Sequence, residues 1–310
     1  MIQGENYMVD IQNCAYSIFG NCVSMTNGHV EIKVTTDVGP RIIYLAVDGG
    51  KNMMFEDIKD GIHESGEYFD TNFKKGEAWH IYGGHRLWKS EEEYATYAPD
   101  NYKVTVEYLK NGAIFTAPTE KMTGITKTLT ITMADDGTVT IEHKFRNDGE
   151  ATFRGALWAL TVMAPGGKVM VPLNTANTGW LSNRNMVLWS YDDVHDHRFD
   201  IRNDAFVITQ DATVGDADNF KVGTMTPMGH VYHLLPQGLF VKRVPAIKEG
   251  MIYPDNMCNV EVFTSFRMAE IETLSPLYTL EQGEEATHTE QWNVYAPGSA
   301  KYEEMKDIIG

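Results

Sequence analysis

Apolar and polar residues alternate along most of this chain, and the dominant period is two. From Ile125 to Met133, Ile125, Leu129, Ile131 and Met133 share one parity while threonines fill the other. After Ala134-Asp135-Asp136-Gly137 the alternation resumes at Val139, Ile141, His143 and Phe145. An Asp-Gly step between two alternating runs predicts a hairpin. Asn111-Gly112 does the same between 103–109 and 113–118. Further strand-like runs are 30–35, 41–47, 156–163, 205–209, 239–244, 260–266 and 286–295. Helical periodicity is confined to short stretches at 90–97 and 300–309.

Many short strands, regularly spaced turns and few helices predict an all-β chain built as a large antiparallel β sandwich. No Pro- or Ser-rich linker and no fixed-period repeat divides the sequence, so one domain over residues 1–310 is expected.

Composition narrows the partners. At 310 residues and 43% hydrophobic content the chain can bury a sizeable core. A formal charge of −17 argues against nucleic acid, which demands a concentrated basic face, and disfavours anionic membranes. No run of about 18 apolar residues exists to span a bilayer. The start Met1-Ile2-Gln3-Gly4-Glu5-Asn6-Tyr7 has neither a basic nor an apolar leader region, so no signal peptide is expected. Cys14, Cys22 and Cys258 are odd in number and unclustered, reading as reduced thiols of a cytoplasmic protein.

The strongest chemical signal is Gly83-Gly84-His85-Arg86-Leu87-Trp88. Two glycines permit close backbone approach to a ligand. An imidazole, a guanidinium and an indole follow. An aromatic plate beside a rigid donor fork suits a polyhydroxylated ring with apolar faces and hydroxyl edges. The structural alternative is a Gly-Gly turn followed by a buried Trp and a salt-bridged Arg.

Three segments together resemble the galactose mutarotase superfamily, the aldose 1-epimerase-like β supersandwich. The first runs from Met25-Thr26-Asn27-Gly28-His29-Val30 through Asp37-Val38-Gly39-Pro40-Arg41-Ile42, extended by Asp48-Gly49-Gly50-Lys51-Asn52. The second is the Gly83–Trp88 motif, similar to a branch of the superfamily that carries Gly-Gly-His-Arg-Leu-Trp. The third is Met268-Ala269-Glu270-Ile271-Glu272-Thr273-Leu274, followed by Leu280-Glu281-Gln282-Gly283-Glu284 and by His288-Thr289-Glu290-Gln291-Trp292.

The resemblance implies a supersandwich fold, a sugar ligand and Glu272 at the position of the catalytic base. The mutarotase general acid is a His on a mid-chain strand. The matching strand here, 156–163, contains none. Ring opening of a cyclic hemiacetal needs a base at the anomeric hydroxyl and an acid at the ring oxygen. His85, or His80 five residues earlier, is the candidate for the missing acid. Glu270 lies about 6.5–7 Å from Glu272 along an unbroken strand, on the same face, where mutual repulsion would raise one carboxyl.

Arg86, Trp88, Glu270, Lys221 and Asp255 complete the expected substrate-binding set. Lys221 in Asn219-Phe220-Lys221-Val222-Gly223 falls where a late mutarotase strand contributes a polar group, and Tyr253-Pro254-Asp255 is read as a turn near the cleft. His143 shares the apolar phase of its strand and reads as a satisfied core histidine. His195-x-His197 has a spacing that can ligate metal, but no third ligand is identifiable, so neither a metal nor a cofactor is expected.

The sequence therefore leaves three functions open. One is anomer interconversion of a free monosaccharide or short oligosaccharide. The second is a non-catalytic carbohydrate-binding or sensing module. The third is an epimerase or lyase acting on uronic acids, with Arg86 or Lys221 neutralising the carboxylate.

Overall fold

The computed structural model describes residues 9–310 except 180 and 228. Met1–Tyr7, which carry the leader expectation, lie outside the described residues. Alternation is converted directly into two large antiparallel sheets. Along the first, the strands follow the order Asp10–Ala15, Asn21–Thr26, Val30–Thr35, Ile42–Val47, Gly84–Ser90, Phe153–Met163, Ala269–Leu274, Val260–Thr264, Phe220–Thr224 and Val187–Leu188. The second runs Phe199–Ile201, Ala205–Thr209, Lys168–Pro172, His230–Leu235, Gly238–Arg243, Glu285–Tyr295, Val139–Asn147, Ile125–Met133, Gly112–Thr116 and Thr105–Leu109. A small hairpin, His63–Glu64 with Trp79–His80, stands apart from both.

The inner faces meet in one apolar cluster that includes Ile32, Ile42, Leu45, Phe115, Phe145, Phe240 and Trp292. Both expected hairpins form: Met133 pairs with Val139 around Asp135–Gly137, and Leu109 pairs with Gly112. The C-terminal helix spans Ala300–Ile309, capped by Ser299, whose side chain accepts from the Tyr302 amide. The helical expectation over 90–97 is corrected. Ser90 still belongs to the strand Gly84–Ser90, paired with Ala156, and only Tyr94–Tyr97 coils, as a 3-10 turn capped reciprocally by Glu93 and Thr96.

The glycine pair also works differently from its expected role. A Cβ at Gly83 would lie 2.1 Å from the Phe55 carbonyl oxygen, and one at Gly84 would lie 2.3 Å from that of Ile42. Both have positive φ. The glycines thus admit neighbouring main chain rather than a ligand, and they launch a buried central strand.

Candidate functional site

Strand parity decides which residues can meet. In the first sheet Leu160 is the cross-strand neighbour of both Arg86 and Glu272, so those two side chains flank it on one face. Trp88 and Trp158 are directly opposite each other, and Glu261 is opposite Glu272. Lys221 lies on the next strand outward, paired with Phe263. This is the face turned away from the second sheet. Phe69, Trp79, Ile81 and Met268 partly cover it, in a separate apolar cluster with Trp88, Trp158, Leu160 and Val162.

Lys221 is the hinge of the polar arrangement. Its Nζ donates to Glu272 Oε2 at 2.8 Å and pairs with Glu261 Oε2 at 2.7 Å. It sits 4.7 Å from the ring centroids of both Trp158 and Trp189. Burial alone would depress the ammonium, but Glu261 and Glu272 outweigh it and hold Lys221 well above its ordinary range. Burial lifts Glu261 well above the usual carboxylate range, opposed by Lys221 and reinforced by Glu272. Trp158 Nε1 donates to Glu272 Oε2 at 2.7 Å, so one Glu272 oxygen takes both donors. The other, Oε1, is buried without a hydrogen-bond partner.

At the opposite end, Arg86 is 4% exposed and lies 4.3 Å over the Trp88 ring and 5.9 Å from that of Trp79. Its Nη2 stands 3.8 Å from Glu270 Oε2, an ion pair too long for a hydrogen bond. Its Nε and Nη1 are buried and have no hydrogen-bond partner. Glu270 is raised to about 6, by burial first, against the pull of Arg86 and with the push of Glu272. The rim is aromatic and acidic: exposed Tyr191, half-buried Tyr97 and exposed Glu92, which accepts from the Tyr97 hydroxyl. Asp255 accepts from Ser90 Oγ at 3.4 Å and helps raise Glu261, placing it beside the same face.

The structure therefore brings together Arg86, Trp88, Lys221, Glu270 and Glu272, with Asp255 at the margin. It does not bring His85 or His80 to them. His85 is adjacent to Arg86, so its side chain points the other way, into the space between the sheets. There its Nδ1 meets Thr161 Oγ1 at 2.9 Å and its Nε2 meets His143 Nε2 at 2.7 Å. Burial, and next His143, hold His85 well below the ordinary imidazole range. His143 Nδ1 lies 2.8 Å from the His288 carbonyl oxygen, which makes it a satisfied core histidine. His80 belongs to the small hairpin and contacts Asp60, with Nδ1 2.5 Å from Oδ1. The outward positions of the strand Phe153–Met163 are filled by Trp158, Leu160 and Val162.

Sequence reasoning did not single out Trp158, Glu261, Trp189 or Tyr191. Glu261 had a signal, a lone carboxylate within the apolar run 260–266. The two tryptophans and Tyr191 carried none beyond residue type. His197 pairs with Asp211 at 2.9 Å on an exposed loop, and His195 is exposed there. A cavity of about 630 Å³ is lined by Arg86 together with Pro40, Phe73, Asp100, Tyr102 and Leu129. It lies apart from the Lys221 and Glu272 end.

What this face can do chemically is bounded by its groups. It offers two free guanidinium donor atoms, one free carboxylate oxygen, a carboxyl that exchanges its proton near neutrality, and indole surface. Those groups suit a small, neutral, hydroxyl-rich ligand.

Sequence comparison with protein-family models and with curated proteins gives no match. Structure comparison does. A TPR-domain containing protein from Parabacteroides distasonis superposes with a TM-score of 0.57 at 13% identity, over 88% of this chain and 47% of the other, so this chain spans about half its length. A galactose mutarotase-like protein from Lactobacillus casei superposes with a TM-score of 0.54 at 10% identity, over 88% of this chain and 100% of the other. Two large antiparallel sheets, in a superposition that takes in the whole of that second structure, show that this chain has the galactose mutarotase-like β-sandwich fold.

Proposed function

We propose that this protein binds a neutral sugar on the outer face of its first sheet and interconverts the sugar's anomers there. The observation that carries the reading is that unpaired Arg86 Nε and Nη1 and unpaired Glu272 Oε1 lie on one tryptophan-lined face, either side of Leu160. Charge selects among sugars. Two cations, Arg86 and Lys221, stand among three carboxylates, Glu261, Glu270 and Glu272. Lys221 is already committed to two of those carboxylates, and Arg86 faces the third. With Glu270 ionised, little positive charge is left for a uronate, so above about pH 6 the face favours uncharged hydroxylated rings over uronic acids.

In this reading the pyranose stacks on indole while Arg86 donates to its hydroxyls. Glu272 Oε1 takes the proton of the anomeric hydroxyl, and protonated Glu270 gives its proton to the ring oxygen as the C1–O5 bond breaks. The open-chain aldehyde turns about C1–C2. Ring closure then reverses both transfers, so the two carboxyls return to their starting states. Glu270 thus takes the acid's part that the sequence suggested for His85 or His80. It is suited to that part because its proton is held until about pH 6.

A non-catalytic binding module is the second reading. It is favoured by the commitment of Glu272 Oε2 to both Lys221 and Trp158, which restrains the carboxylate as a binding group would be restrained. An anomer-exchange assay by polarimetry or NMR across a panel of free hexoses, paired with calorimetry, separates the two. Catalysis predicts acceleration that falls by about 10²- to 10⁴-fold in Glu272→Gln. Binding without acceleration supports the module and ends the catalytic reading.

A further inference from the structure

We propose that Asp60, His63 and His80 form a binding site for one divalent transition-metal ion, of the zinc or cobalt kind, outside the sugar face. The three residues each offer a ligand atom, and those atoms lie within 4.8 Å of one another. Around a tetrahedral ion with bonds of about 2.0–2.1 Å, ligand atoms stand roughly 3.4 Å apart, so small side-chain rotations close the set. Two imidazole nitrogens and one carboxylate oxygen match the borderline hardness of such ions and leave coordination positions open to solvent.

The main chain already holds the three together. His63 and His80 are direct cross-strand partners in the small hairpin, and their rings stand 5.9 Å apart. Asp60 sits on the loop leading into that hairpin, and its carboxylate oxygens lie 2.5 Å from His80 Nδ1 and 3.8 Å from His63 Nδ1. The loop is anchored by Asp57, whose carboxylate accepts from the Gly61 and Ile62 amides. The Arg41 guanidinium donates to the His80 carbonyl oxygen. Among the described residues, the ion-pair partners of Asp60 are these two histidines, so no lysine or arginine competes for its charge.

A second triplet lies between the two sheets. His85, His143 and Glu290 also bring their ligand atoms within 4.8 Å of one another. There, however, the Lys242 ammonium stands 2.9 Å from Glu290. A cation already holds that carboxylate. The surface triplet has no such occupant.

A metal here would tie the loop to both strands of the hairpin. Trp79, the neighbour of His80, packs its ring 5.0 Å from Trp88 on the covered face. The ion would therefore brace part of the cover over the sugar site. The site itself does not depend on that sugar reading.

The test uses tag-free full-length protein stripped with chelator, titrated with zinc by calorimetry and with cobalt by visible absorption. One equivalent should bind, with a cobalt band of nitrogen and oxygen coordination. Affinity should fall at least about 10-fold in both His63→Ala and Asp60→Asn. His63 is exposed, so its variant should keep the parent's fold, checked by circular dichroism. Absence of saturable binding of either ion overturns the proposal, as does binding equally tight in His63→Ala and Asp60→Asn.

Discussion

Glu270 and Glu272 stand two residues apart on one strand yet have different surroundings. Glu272 is pinned through one oxygen by an indole N–H and an ammonium, whereas Glu270 has only a distant guanidinium and heavy burial. That difference separates the acid from the base in the proposed reaction. It also fixes the sign of the pH dependence. A carboxyl raised from its ordinary value to about 6 is a donor below that pH and loses its proton above it. Anomer exchange should therefore decline as pH rises through about 6. A Glu270→Gln variant should be slower and should lose that limb of the profile, measured as kcat/KM from pH 4.5 to 8. A profile unchanged by the substitution would remove Glu270 from the mechanism.

At the scale of elements, the strand Gly84–Ser90 depends on the absence of a side chain where it begins. Gly84 has φ of 64°, and the Ile42 carbonyl oxygen occupies the space a Cβ would need. Gly84→Ala should cost about 2–4 kcal/mol in urea unfolding, because both the backbone and its neighbour must shift. Loss of stability below 1 kcal/mol would show that the neighbouring strand yields freely. Much of this level was legible in the sequence. The hairpins at Asp135–Gly137 and Asn111–Gly112 were carried by local turn chemistry, and the terminal helix by its periodicity over 300–309. The expectation for Glu272 came from a matched segment, that for Glu270 from strand spacing beside it, and that for Arg86 from the side chains after the glycine pair. What was not legible was parity at the motif itself. The double glycine read as a turn at a ligand, so His85 and Arg86 were placed in one groove, although strand geometry sends neighbours to opposite faces. Trp158 was hidden because its role arises from cross-strand register, which no single segment contains, and Glu261 carried only the signal of a lone carboxylate in an apolar run.

Across the whole molecule, the space between the sheets holds polar groups as well as apolar ones. Lys242 and Glu290, both fully buried, pair at 2.9 Å, and Glu290 also accepts from Trp292 Nε1 at 2.9 Å. Around them, burial keeps His85 and His143 below the ordinary imidazole range and brings His288 to about 3; elsewhere it brings His233 to about 4. Each binds its proton more weakly folded than unfolded, so each adds stability above about pH 6.5 that is lost as pH falls. For His233 and His288 the expected loss approaches about 1.4 kcal/mol per pH unit each once the pH is below about 6.5, read from urea midpoints between pH 7.5 and 5. Midpoints flat across that window would mean that these imidazoles are already charged in the fold. Alternation in the strand Gly84–Ser90 has a last consequence for evolution and engineering. One residue inserted after Gly84 would turn the whole strand over, carrying a permanent positive charge into the sandwich interior and delivering an imidazole to the outer face. Length variation should thus be purged from this segment far more harshly than point replacement.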